Sequence, residues 1–193
     1  MTRGAADGWG RREGWLCFAA FVGTVFLANY LVGHVGTTCL PGGPCVIPVW
    51  PGVMAPSGVL AAGVGFTLRD LVQRRLGVRW SVVAIVVGAA ASAAVSPRLA
   101  LASGTAFLLS ELFDLVVYTP LQRRHLYTAV VASNIVGLVV DSAVFLVLAF
   151  GSLELIAGQI VGKLWMTVAF LPVIGAVRRR DARRGPAPGY AGS

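Results

Sequence analysis

The sequence predicts an all-α polytopic membrane protein, a bundle of six transmembrane helices with both termini in the cytoplasm. Composition is the first reason: of 193 residues, 56% are hydrophobic and 12% charged, where an ordinary soluble domain carries about 25% charged residues. The second is that the charge is missing in blocks. No ionisable side chain lies between Trp80 and Arg98, and Asp141 is the one such residue between Thr128 and Gly151. Apolar stretches of about 18 residues or more are what a hydrocarbon core of about 30 Å requires. The third is that the arginines collect at the ends of these stretches.

Taken in order, residues 1–14 form a basic N-terminal tail with Arg3, Arg11 and Arg12. The first span, about 15–33, is long for the core of a cleaved signal and has no small-residue exit, so it reads as a helix that stays. The loop from His34 to Gly52 holds Cys39 and Cys45 in a Pro- and Gly-rich setting. Two readings stand there, a small disulfide loop and a pair of free thiols. Cys17, in the first span, packs as a small hydrophobe. Further spans follow at about 53–68, 80–97, 99–118, 127–150 and 155–177. Residues 178–193 are expected to be a basic, disordered tail. Trp15, Trp80, Tyr118 and Tyr127 fall at span ends, where amphipathic rings favour the headgroup layer. Gly58, Ala62 and Gly65, and Ala89 with Ala93, are stripes of small residues suited to close helix packing.

Orientation follows from the basic residues. Arg3, Arg11, Arg12, Arg69, Arg74, Arg75, Arg79, Arg123, Arg124, Arg178, Arg179, Arg180, Arg183 and Arg184 fall on one side of the spans, and Arg98 on the other. The positive-inside rule puts the first side in the cytoplasm. The same distribution argues against nucleic acid as the partner of the +8 net charge, because the arginines do not line one soluble face.

Ionisable groups at membrane depth cost several kcal/mol unless paired or wet, which marks them as functional candidates. Glu111 and Asp114 share a face of the fourth span, Asn134 and Asp141 a face of the fifth, and Gln159 and Lys163 a face of the sixth. Counting from the outer end, Asp141 and Lys163 both lie roughly 12–13 Å deep. The short connection after the fifth span makes their helices antiparallel neighbours, so the two can pair. Asp114 and Asn134 match one another at a deeper level. For Asp141 and Lys163 a purely structural ion pair competes with a functional one. Glu111 and Asp114 lack a second cation, so a wet cavity, a ligand or a retained proton is the better account. Asp70, beside Arg69, reads as half of a solvated local pair.

Enzyme chemistry finds no support in the motifs. His34 and His125 sit at loop edges, no HExxH or GxxxxGK[ST] run is present, and no metal-ligand cluster or cofactor is indicated.

The run Leu99-Ala-Leu-Ala-Ser103 to Ser110-Glu111-Leu-Phe-Asp114, then Ser133-Asn134-Ile-Val-Gly137-Leu-Val-Val-Asp141-Ser142, then Gly158-Gln159-Ile-Val-Gly162-Lys163 resembles the queuosine precursor transporter family, also called the VUT or putative vitamin uptake transporter family. Thr67-Leu-Arg-Asp70-Leu-Val followed by Gly77 is similar to the family's second-helix end, and the resemblance covers about residues 53–177. It implies a multi-pass importer in the bacterial inner membrane that carries 7-deazaguanine bases such as 7-cyano-7-deazaguanine, or a related purine-like or vitamin-like molecule. A carboxylate of Glu111 or Asp114 would accept from the N–H edge of the base. Asn134, Gln159 or Lys163 would donate to its O6 and N7, with Trp165 or Phe113 stacking on the ring. Transport would be facilitated, proton-coupled, or driven by a separate energising complex. In the last case the chain is a substrate-binding subunit. A homo-oligomer and a purely structural membrane protein are further expectations.

Overall fold

The computed structural model describes residues 3–121 and 126–184. Among them are six helices and one small sheet: α1 (Arg3–His34), β1 (Thr38–Cys39), β2 (Cys45–Trp50), β3 (Val53–Pro56), α2 (Val59–Leu76), α3 (Val78–Ser92), α4 (Pro97–Leu121), α5 (Leu126–Phe150) and α6 (Ile156–Arg184). Side chains along parts of α1, α4, α5 and α6 lie outside the described residues, those of Glu111, Asp114 and Asn134 among them.

The packing is inside out relative to a soluble protein. Leu16 and Leu101 are each 72% exposed, and Val116, Ile135, Val168 and Val86 also face outward. Asn29, Ser81, Ser92, Ser142, Gln159 and Lys163 are buried. Water tolerates no apolar surface of that extent on a monomer, whereas lipid favours it, and small or polar side chains then mediate helix contact. Two helical segments, Gly10–His34 and Ile156–Val177, are long and apolar enough to cross a membrane. Only 22% and 19% of their apolar windows are buried in the bundle, which is the opposite of a soluble core helix. Val78–Ser92 and Ile135–Phe150 are shorter apolar helices.

The helices pair most extensively as α4 with α5, α1 with α2, and α2 with α6. Two apolar clusters join them. Val32, Ala102, Ala106, Leu146 and Ala149 pack where α1, α4 and α5 meet, and Phe21, Val25, Ala84, Ile85 and Phe107 where α1, α3 and α4 meet. The Gly58 stripe is a true close contact: a methyl there would collide with the Ala28 carbonyl of α1. Ala89 packs at Gly104 in the same manner.

Several boundaries differ from the hydropathy reading. The loop from His34 is an antiparallel sheet of order β1-β2-β3, with Cys39 directly opposite Cys45 and joined to it by a disulfide. Residues 53–56, assigned to the second span, are its third strand, because Val53–Pro56 pairs with β2. α2 then runs on to Leu76, so Arg69, Asp70, Arg74 and Arg75 are helical and the connection to α3 is Gly77 alone. Its φ of +93° is closed to side chains with a Cβ, which is why the helix breaks there. α1 begins at Arg3 and α6 continues to Arg184, so both expected tails are partly helical; residues 185–193 lie outside the described residues. The reason is electrostatic. Glu13 pairs with Arg75 at 2.9 Å and accepts from Arg180 at 2.5 Å, which ties α1, α2 and α6 together. At the same end Trp15 meets Trp80 edge-on at 4.6 Å between ring centres. Arg69 and Asp70 form the expected local pair, at 2.6 Å, with the carboxylate 57% exposed.

Candidate functional site

Lys163, in the second turn of α6, is 1% exposed. Its ammonium donates to Asp141 Oδ2 at 2.5 Å and to Ser142 Oγ at 2.9 Å, and it lies 5.6 Å from the centre of the Phe66 ring. Ser142 in turn donates its O–H to the Leu138 carbonyl at 2.8 Å. The charge is therefore met by one carboxylate, one hydroxyl and one aromatic face. A buried ammonium needs all of these, since removing it from water costs more than a single contact returns. The α5–α6 turn brings Asp141 and Lys163 together as their spacing predicts. Ser142 and Phe66 add partners that periodicity alone did not single out.

The pair borders a cavity, whereas the sequence reading puts a polar pocket between the last three helices alone. In the structure α1 and α2 wall it as well. Asn29 of α1, Ser103 and Phe107 of α4, Asp141 of α5, and Gln159 and Lys163 of α6 all line it. Water centres have about 30 Å³ in it, on the order of two waters. A bicyclic heterocycle is several waters in size, so the surrounding helices must part to admit one.

Asn29 is the residue that sequence reasoning missed. It is 1% exposed, and its Oδ1 accepts from Ser103 Oγ at 2.9 Å. Its Nδ2 has no partner among the described residues, nor has Oε1 of Gln159, which is 3% exposed. A buried amide group left unpaired costs about 1–3 kcal/mol. Two such groups around one cavity mark it as a place where water or a ligand completes the hydrogen bonds. The available signal was a lone asparagine inside the first apolar run, overlooked because it carries no charge.

The proposed stacking rings stand elsewhere. Trp165 is 48% exposed on the outer surface of α6, stacked on Trp50 at 6.1 Å and donating to the Val49 carbonyl at 3.2 Å. It anchors the sheet and does not line the cavity. Phe113 is 46% exposed. The rings at the cavity are Phe107 and Phe145, with Phe66 packed behind Phe107 at 5.2 Å. Glu111, Asp114 and Asn134 lie on α4 and α5 with side chains outside the described residues. Among the described residues no group of three His, Cys, Asp or Glu side chains converges to hold a metal.

Residues 90–177 match the model of a family described as putative vitamin uptake transporter. The match covers less than half of the chain, so it is a likeness over that stretch. It holds Ser103, Phe107, Asp141, Phe145, Gln159 and Lys163 of the α4–α6 wall of the cavity and excludes Asn29 on the α1–α2 wall. This likeness to a transporter family and the two helices long and apolar enough to cross a membrane agree with a membrane protein. No curated protein and no solved structure matches the chain.

Proposed function

We propose that the protein spans the bacterial inner membrane six times and imports a 7-deazaguanine queuosine precursor, or a related purine-like base, through the cavity between α1, α2, α4, α5 and α6. One observation carries this reading: a buried ion pair beside a largely apolar cavity that also holds Asn29, Ser103 and Gln159, in a bundle whose outer surface is apolar. A bundle that served only as an anchor would be more stable with that pair replaced by hydrocarbon, so its retention beside a cavity speaks for function. Glu111, Asp114 and Asn134 lie on the same two helices as Ser103 and Asp141 and are further substrate-binding candidates on their sequence spacing. The arginine-rich end faces the cytoplasm, in line with the positive-inside rule. The Cys39–Cys45 disulfide, at the opposite end of α1 from Glu13, agrees with an oxidising exterior.

The test is uptake of labelled 7-cyano-7-deazaguanine by cells that cannot make it. Expression of the native chain should restore accumulation, and Asp141→Asn should slow it at least ten-fold at equal membrane abundance. Native-rate uptake by the variant, or none by the wild type, overturns the reading. Liposomes holding the purified chain alone then separate a self-sufficient carrier, which fills them, from a binding subunit that needs an energising partner.

A further inference from the structure

Resting on that reading of the cavity, we infer that its ligand is a neutral lactam, gripped by Asn29 of α1 and Gln159 of α6 and not by the ion pair. The ion pair is already satisfied. Lys163 spends two of its three N–H groups on Asp141 and Ser142 and rests over the Phe66 ring. An anionic or cationic ligand would meet no free countercharge here and would have to pull this pair apart. What the cavity does offer is neutral: an unpartnered donor, Asn29 Nδ2, and an unpartnered acceptor, Gln159 Oε1, each on a side chain more than nine-tenths buried.

A donor and an acceptor presented from two walls of one cavity complement a ligand edge that carries an acceptor beside a donor. The amide unit of a lactam ring, C=O next to N–H, has that edge. Asn29 Nδ2 donates to the carbonyl and Gln159 Oε1 accepts from the ring N–H. Phe107 gives the flat ring an apolar wall. The Ser103 hydroxyl holds Asn29 by its Oδ1 at 2.9 Å, which leaves Nδ2 as the end turned to other partners. Selectivity follows from the same economy of bonds: an analogue lacking the ring N–H leaves Gln159 Oε1 unpaired, and buried sites reject such analogues strongly.

The experiment is titration of the purified full-length chain in detergent with 7-cyano-7-deazaguanine, hypoxanthine, 6-methoxypurine, nicotinate and thiamine, read by calorimetry and thermal shift. Hypoxanthine keeps the lactam, whereas 6-methoxypurine has the same ring system with its N1–H and carbonyl blocked. Hypoxanthine should bind at least ten-fold more tightly than 6-methoxypurine, and neither charged compound should bind. Asn29→Leu and Gln159→Met should each weaken hypoxanthine at least ten-fold, while Ser103→Ala, which leaves both groups in place, should weaken it less. The wild-type comparison of the two purines stands even if a variant fails to fold. Equal affinity for them, tighter binding of nicotinate or thiamine, or no binding of either lactam overturns the inference. Binding of hypoxanthine without 7-cyano-7-deazaguanine upholds the lactam and overturns the deazaguanine importer. Binding of deazaguanine with no preference between the two purines does the reverse.

Discussion

Within the bundle Lys163 has one acidic partner, while at the arginine-rich end Glu13 has two basic ones. The inner network is dry. Lys163 and Asp141 have side chains 2% and 7% exposed, so neither can exchange its partner for water. The end network is graded: Arg75 is 3% exposed, Glu13 18%, and Arg180 37%. The first joins two helices adjacent in sequence, α5 and α6. The second joins α1, α2 and α6, which are distant in sequence. A pair closed off from bulk solvent is an all-or-none element, because breaking it strands a buried charge. A clasp that solvent reaches on one arm can loosen gradually. Rigidity next to the cavity and give at the bundle's end follow from burial alone.

The most forceful way to break this contrast is to remove half of the inner pair. Asp141→Asn should leave the Lys163 ammonium without a countercharge, destabilising the fold by about 3–5 kcal/mol. The paired replacement Asp141→Leu with Lys163→Met should bring stability back to within about 1 kcal/mol of native or above it, as measured by melting in detergent. Uptake by this double variant then decides what the pair is for. Loss of transport in a well-folded double variant makes the pair functional, and native transport makes it packing.

That pair was also the part of the site most open to sequence reading. Two opposite charges in otherwise apolar runs, at equal depth on helices joined by a short turn, admit few arrangements. The six helices were legible for the same reason, since missing charge over about 18 residues has one common cause. What escaped was whatever hydropathy does not weigh. Asn29 is uncharged and sits alone in α1, so no spacing rule singled it out. The sheet at 38–56 is short, and its pairing depends on the Cys39–Cys45 register, which is not periodic within one strand. Glu13 lay in an expected tail, and only the tertiary approach of α2 and α6 shows why the helix reaches back past it. Trp165 was taken for a stacking ring because an aromatic near Lys163 is visible in sequence, whereas the side of α6 on which it emerges is set by packing against β2.

An intermediate effect should come from Glu13→Gln. The substitution keeps the shape and removes the charge that two guanidinium groups share, but both arginines hold other interactions as well. A loss of about 1–3 kcal/mol is expected, smaller than that of Asp141→Asn. The order of the two melting temperatures checks the contrast directly: if Glu13→Gln destabilises more than Asp141→Asn, the end clasp and not the inner pair is the rigid element.

The smallest effect is expected at Arg180→Ala, and it sharpens the argument because it removes only the exposed arm of the clasp. Arg180 meets Glu13 at 2.5 Å, yet its side chain is 37% exposed. Water and salt therefore compete for both partners, and pairs of this kind contribute about 0–1 kcal/mol. Salt distinguishes this arm from the buried one. Raising ionic strength from about 0.01 M to 1 M shortens the screening length from about 30 Å to 3 Å, so the native chain should lose most of the small advantage it holds over Arg180→Ala. The difference between native and Asp141→Asn should stay nearly constant over the same range, because neither salt nor water reaches Lys163. A salt-independent deficit at Arg180→Ala would mean that this arm is as dry as the inner pair, and the graded picture of the clasp would have to be given up.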